Sequence, residues 1–343
     1  MRTRPLGSSE IQASVIAMGT WAIGGWMWGG SDEDEAVRAI RAAIDLGINL
    51  IDTAPIYGFG HSELIVGKAL KGRRDSAVIA TKCGMVANTR AGELKMRSTA
   101  AGPSEHGQIE VYIHNHPDSI RREVEGSLAR LQTDHIDLYQ THWQEGVTPI
   151  EETMGALLRL KEEGKIRAIG VCNASVAQLE RYRSVGPVDS DQEKYSMLDR
   201  KLDAAEASLS QSPLSQSQWC VMHGTSILAY SPLVLGLLTG AATPERVYAE
   251  GDFRRTHKRF TAENRARVQG LLARFQPIAT RHQCTLGQIV IAWTIAQPGI
   301  THALVGARSV AQIEENAKGG QITLSQMDLD EMNEALKGFE LVV

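Results

Sequence analysis

Three features of the sequence predict an α/β fold in the form of a closed (β/α)8 TIM barrel. Eight short β-branched or apolar runs alternate with longer stretches of helical spacing. Several runs, VIAMGT and IRAIGVC among them, are almost wholly apolar, as strands covered on both faces are. Strict alternation implies parallel strands joined by right-handed crossovers, and no midpoint reversal or long linker splits the series. An open doubly wound sheet is the competing arrangement. Eight unbroken units favour a single barrel domain over residues 1–343.

The first strand covers residues 15–21. The helix after it has Ser31 as N-cap, acids in its first turn, apolar residues at Ala36, Val37, Ile40 and Ile44, and Gly47 as its stop. Strand 48–54, helix 62–70, strand 78–83 and helix 119–131 follow. Then come strand 136–143, helix 150–163, strand 166–172, a helix from Ser175 to about Arg183, and a weakly marked strand at 189–195. The series ends with helix 198–209, strand 226–231, a helical block over 263–297, strand 302–305 and helix 310–317. Residues 86–115 and 238–261 interrupt the cycle, each after a strand C-terminus. That is the barrel face on which sites are built, and loops this long are more often functional than idle.

Composition removes several function classes. Lys plus Arg number 36 against 40 for Asp plus Glu, a formal net charge of −4, so no basic field exists to grip nucleic acid or an anionic membrane. No apolar run approaches the ~20 residues that span a bilayer. The opening MRTRPLGSSEIQAS lacks the apolar core of a secretion signal. Cys83, Cys172, Cys220 and Cys284 lie far apart without a CxxC pair, which points to reduced thiols in a cytoplasmic protein rather than a zinc cluster. His114 and His116 have no nearby third ligand, so no metal site is expected.

The strand ends carry the chemistry. Asp52 and Tyr57 follow the second strand, Lys82 ends the third and His142 the fourth. Asp52 alone could cap a loop, and His142 alone could be a packed core histidine. Lys82 inside an apolar strand must be paired. Brought to one mouth, the four form a proton donor for reducing C=O. An ammonium ~4 Å from a phenol favours phenolate by up to ~4 kcal/mol at an effective dielectric of about 20, roughly three pKa units. An aspartate would hold that ammonium, and the histidine would bond the carbonyl oxygen. A metal-dependent hydrolase using Asp52 and His142 is the rival reading. Trp21, Trp26, Trp28 and Trp143 gather with Tyr57 and His142 as an apolar substrate wall, while Trp293 belongs to the core. GFGHSE (58–63) opens like a dinucleotide fingerprint but has Glu63 at its sixth position, so a separate Rossmann domain is not expected.

The segments GTWAIGG, GINLIDTAPIYGFGHSELIVGKAL, IATKCG, IDLYQTHW, GKIRAIGVCNAS and AYSPLVLGLLTG resemble the aldo-keto reductases, the superfamily that also includes the potassium-channel β subunits. The resemblance implies a tetrad with Tyr57 as acid/base, Lys82 and Asp52 as its tuning pair, and His142 placing the substrate. It implies a nicotinamide beside Gly19, Thr20, Trp21 and Asp52, its carboxamide held by Cys172, Asn173 and Gln192, and its ring stacked on Tyr230. Ser231, Leu233 and Gly236 match the pyrophosphate loop. Gly306, Ala307, Arg308, Gln312, Glu315 and Asn316 match the adenosine end, at a helix N-terminus suited to phosphate. Cys172 stands where the family has serine, a weaker donor. Gln312 stands where many members place arginine, and Arg308 supplies the charge instead. The implied cofactor is NADPH, with NADH as the alternative, and the implied reaction is reversible reduction of a small aldehyde or ketone. A non-catalytic nicotinamide-binding redox sensor is the alternative function, against which the intact tetrad argues.

Overall fold

The structure is a computed structural model that describes residues 1–98, 109–204 and 214–342. It opens with an antiparallel hairpin of β1 (Thr3–Pro5) and β2 (Gln12–Ser14), followed by the first three barrel strands, β3 (Ile16–Gly19), β4 (Leu50–Asp52) and β5 (Val78–Cys83). The first inserted stretch, read from sequence as a loop, instead contains an antiparallel sheet of β6 (Met85–Ala87), β7 (Glu93–Ser98) and β8 (Ile109–Ile113). The barrel resumes with β9 (Ile136–Thr141), β10 (Ile166–Cys172), β11 (Ser190–Lys194), β12 (Ser226–Tyr230) and β13 (Ile300–Gly306). It closes, all parallel, where β13 pairs with β3. The (β/α)8 barrel expected from the alternation is therefore the fold.

The helices are α1 (Glu33–Asp45), α2 (His61–Leu70), α3 (Pro117–Leu131), α4 (Ile150–Glu162), α5 (Val176–Val185), α6 (Gln216–His223), α7 (Ala262–Arg281), α8 (Leu286–Ala296), α9 (Val310–Gly319) and α10 (Gln326–Leu336). Three helical expectations need correction. The N-cap of α1 is Asp32, whose carboxylate accepts the Glu35 N–H, not Ser31. Over 198–204 the chain forms only the short 3-10 turn Lys201–Asp203, and the rest of the helix read there lies outside the described residues. The helix of that unit is α6, started by a capping box of Ser215 and Gln218. The block 263–297 divides because Thr285 and Gln288 form a second capping box that starts α8. The hairpin and α10 carried no sequence signal strong enough to be read.

Alternate residues of each barrel strand face the lumen. The lower inward layer is apolar: Ala17, Leu50, Ala80, Leu138, Ala168, Leu228 and Leu304 pack with Leu6, Ile11 and Ala13 of the hairpin region. The outward residues, such as Ile16, Ile51, Ile79, Tyr139, Ile169 and Val305, pack beneath the helices. Two residues beyond the lower layer, toward the strand C-termini, stand Gly19, Asp52, Lys82, Gln140, Tyr230 and Gly306. The site begins there.

Candidate active site

Lys82 is completely buried. Its ammonium donates to both Asp52 carboxylate oxygens at 2.9 and 2.8 Å, to the Thr53 carbonyl at 2.9 Å and to Tyr57 Oη at 3.3 Å. The Gln192 amide donates to Asp52 Oδ1 at 2.8 Å. A buried ion pair is tolerated when hydrogen bonds satisfy its remaining donors and acceptors, and this one is so satisfied. Burial pulls the Lys82 ammonium down, but Asp52 and the Tyr57 oxygen more than offset it and hold it above the ordinary lysine value.

Tyr57 lies on the turn between β4 and α2. Two glycines let that turn press against the loop after β3: a Cβ on Gly58 would fall 2.2 Å from the Gly24 carbonyl oxygen, and one on Gly24 2.6 Å from the Tyr57 carbonyl carbon. Tyr57 meets His142 edge-on, with ring centroids 5.8 Å apart. The expected acidification of the phenol does not win. Burial pushes Tyr57 up to about 12; Lys82 pulls against this, and Asp52 pushes with it. The ammonium alone would acidify the phenol, but desolvation and the neutralising Asp52 carboxylate outweigh it. Burial, reinforced by the charges of Lys82 and Lys95, holds His142 well below the usual histidine range, so its imidazole is neutral.

Asp52, Tyr57, His142 and Gln192 line one cleft of about 700 Å³, while Lys82 is buried behind Asp52 and Tyr57 and does not reach its wall. Trp21, Trp26, Tyr57, His142 and Trp143 line it with Ile56, Met85 and Met96, whereas Trp28, expected in the same wall, also lines the cleft but lies against Arg254 and Arg308. Gly19, Asp52, Asn173, Gln192 and Tyr230 continue it toward Ser231, Leu233 and Gly236, and then to Gly306, Ala307, Arg308, Gln312, Glu315 and Asn316. Two residues expected at the cofactor do not line it. Thr20 is buried, with its hydroxyl donating to the Asp52 carbonyl at 2.9 Å. Cys172 is also buried, and burial drives its thiol well above the ordinary value. Asn173, held at a φ of 55°, donates to the His142 carbonyl at 3.0 Å and accepts from the Tyr230 hydroxyl at 2.9 Å. Glu63, the residue that broke the fingerprint, is a buried structural carboxylate that accepts from Thr81 and Arg130, both at 2.7 Å.

The long arm of the cleft fits a dinucleotide. Ser231, Val234, Leu235 and Gly236 all have positive φ, so strain is concentrated in one concave turn, as at anion-binding backbone nests. The N-terminus of α9 lies at the far end. Trp26 and Trp28 also have buried indole N–H groups without a hydrogen-bond partner among the described residues. Arg308 donates to the Trp28 and Gly30 carbonyls at 3.2 and 3.4 Å, while Gln312 accepts its N–H at 2.8 Å. The Glu35 carboxylate accepts the Val310 N–H at 3.0 Å, placing a negative charge on the first turn of α9.

The second insertion is anchored over this arm. Trp28 and Asp252 form a β-bridge, and the Phe253 N–H donates to the Met27 carbonyl at 3.1 Å. The Arg254 guanidinium lies between the Trp28 and Tyr248 rings, 4.9 and 4.7 Å from their centroids, and donates to the Leu235 carbonyl at 3.2 Å. Sequence reasoning missed Ile56, Met85, Met96, Arg246, Tyr248 and Arg254 as cleft residues. The one signal for most of them was the position of both insertions after strand C-termini.

The chain belongs to the aldo/keto reductase family, whose signature matches residues 15–337. It is therefore an oxidoreductase that interconverts carbonyls and alcohols with a nicotinamide cofactor. It is 40% identical over 346 residues to the NADH-specific methylglyoxal reductase of Escherichia coli (strain K12), across 99% of this chain and 100% of that protein. The NADP(+) aldo-keto reductase yakc of Schizosaccharomyces pombe (strain 972 / ATCC 24843) is 33% identical over 342 residues, 99% of this chain and 93% of that one. Among solved structures, the glycerol dehydrogenase AKR11B4 from Gluconobacter oxydans superposes with a TM-score of 0.82 at 34% identity, covering 97% of this chain and 94% of that one.

Proposed function

We propose that this chain reduces small aldehydes or ketones to alcohols, reversibly, with Tyr57 as proton donor. The observation that carries the reading is the Tyr57 hydroxyl 3.3 Å from an ammonium clamped by Asp52, at the wall of an aromatic cleft. A reduced nicotinamide, when bound, supplies hydride to the carbonyl carbon. Neutral His142 bonds the carbonyl oxygen and holds it beside Tyr57 Oη. As negative charge grows on that oxygen, Tyr57 releases its proton, and the Lys82 ammonium stabilises the phenolate left behind. Asp52 and Gln192 keep Lys82 in position. A phenol near 12 remains a far stronger acid than an alcohol, so the raised value suits reduction. The reverse reaction needs the phenolate and gains as pH rises.

In the same reading Asn173 and Gln192 meet the carboxamide, Tyr230 stacks on the ring, and the turn carrying Ser231, Leu233 and Gly236 takes the pyrophosphate. The loop Gly306, Ala307 and Arg308, with Gln312, Glu315 and Asn316, takes the adenosine. Thr20 supports Asp52 from behind. We read residues 1–343 as one barrel domain, supported by the span of the family match. The four cysteines are free thiols, which suits a reducing compartment such as the cytoplasm. The test is Tyr57→Phe, followed by absorbance of the reduced nicotinamide. Carbonyl turnover should fall at least ~10²-fold with cofactor Kd unchanged. Turnover that survives the substitution removes Tyr57 from the role.

A further inference from the structure

The first insertion sets a cation where the tetrad has no use for one. β7 pairs with β8 with a register shift between Leu94 and Met96, so Lys95 is the extra residue of a β-bulge. Bulges re-aim side chains, and they concentrate next to active sites. Here Met96 lines the cleft, and Lys95 Nζ lies 3.2 Å from the ring centroid of Trp143, another cleft residue. Trp143 directly follows His142, and the Lys95 charge acts on the His142 imidazole. The ammonium thus lies within electrostatic reach of the end of the cleft where the carbonyl is held.

Its partners set it apart. Two positions along the same strand, Arg97 is paired with Glu110 at 2.9 Å. Lys95 makes no ion pair with any carboxylate among the described residues. A ring face attracts an ammonium but accepts few of its hydrogen bonds, and such a contact is worth only about 0.5–2 kcal/mol. Lys95 itself is exposed and meets the cleft through Trp143, whose share of the wall, with Trp26, Ile56, Met85 and Met96, is apolar. That share of the wall offers the charge no carboxylate, and Glu93, two residues back on the strand, acts on it only through space without an ion pair.

We infer that Lys95 is a specificity residue that selects carbonyl substrates carrying a carboxylate, pairing with that group at the mouth while the carbonyl sits at Tyr57 and His142. This rests on the carbonyl-reductase reading above. The ring of Trp143 pre-positions the ammonium, so a substrate carboxylate meets a cation already aimed rather than a freely moving side chain.

The test uses the full chain with reduced nicotinamide. Unbranched aldehydes ending in a carboxylate, about four to six carbons long, are compared with the matching n-alkanals for the wild type, Lys95→Gln and Lys95→Arg. Lys95→Gln should lower kcat/KM for the best acidic aldehyde about tenfold, mainly through KM, and leave the alkanals within about twofold. Added salt should weaken the wild-type preference for the acid and leave the Gln variant flat. Lys95→Arg should retain the preference. An equal loss on acidic and neutral substrates would make Lys95 a brace of the inserted sheet against Trp143 and overturn the inference, as would an unchanged acid-to-neutral ratio in Lys95→Gln. A wild-type chain that turns over neither series overturns the reductase reading, and this inference with it.

Discussion

The two layers of the barrel lumen come from the same strands, two residues apart, and their chemistry is opposite. Leu50 stands below Asp52, Ala80 below Lys82, Leu138 below Gln140 and Leu228 below Tyr230. The lower layer is stabilised by removing apolar surface from water. The upper layer buries charge, which is unfavourable unless every donor and acceptor is met. The pairing teaches how the tetrad is aimed. Because inward positions recur every second residue, an apolar anchor at one position fixes the direction of the polar residue beyond it. A slip of one residue would turn both out of the lumen.

The largest expected break in this comparison is Lys82→Met. It leaves Asp52 buried with, among the described residues, only the Gln192 amide against its side chain, and we expect it to cost about 3–5 kcal/mol of folding stability as well as turnover. Thermal unfolding that stays at the wild-type Tm would show that the upper layer bears no load. Leu138→Ala tests the other layer. It should cost about 2–5 kcal/mol, while kcat per folded molecule stays at the wild-type value. A parallel fall in kcat would mean that the layers are not separable.

A third prediction sharpens the electrostatics of the upper layer. Since burial raises Tyr57 to about 12, its protonated form persists through neutral and mildly alkaline pH. The Tyr57-dependent term of the reduction rate should stay flat there and fall only as pH nears 12, while alcohol oxidation rises by up to about tenfold per pH unit below that value. A reduction profile that falls with its midpoint well below 10 would mean that the Lys82 ammonium outweighs burial. The smallest effect is at the far end of the cleft. Arg308→Ala should weaken NADPH by roughly fivefold, about 1 kcal/mol, and NADH by less, because only NADPH presents a 2′-phosphate to the guanidinium. Equal losses in a fluorescence titration would exclude that role.

How much of this was legible follows the physics of each part. β5 and β10 match their sequence-read bounds because near-continuous apolar runs mark strands covered on both sides. β11 was faint because its outward residues are Asp191 and Glu193, carboxyl groups that burial pushes above their ordinary values. The hairpin strands TRP and QAS are too short to show a period. The tetrad could be found because a lysine on an apolar strand demands a partner. The direction of the Tyr57 shift could not, since it depends on how completely the ring is enclosed. Lys95 was equally hidden: its aim comes from a bulge in a sheet that the sequence presents as a polar loop.

Gly24 and Gly58 set a limit that no reacting side chain reveals. One added carbon on either would wedge two loops apart and swing the phenol off its ammonium, with all four reacting residues still in the sequence. Reactivity here depends on two bare backbone positions, where hydrogen fits and methyl does not.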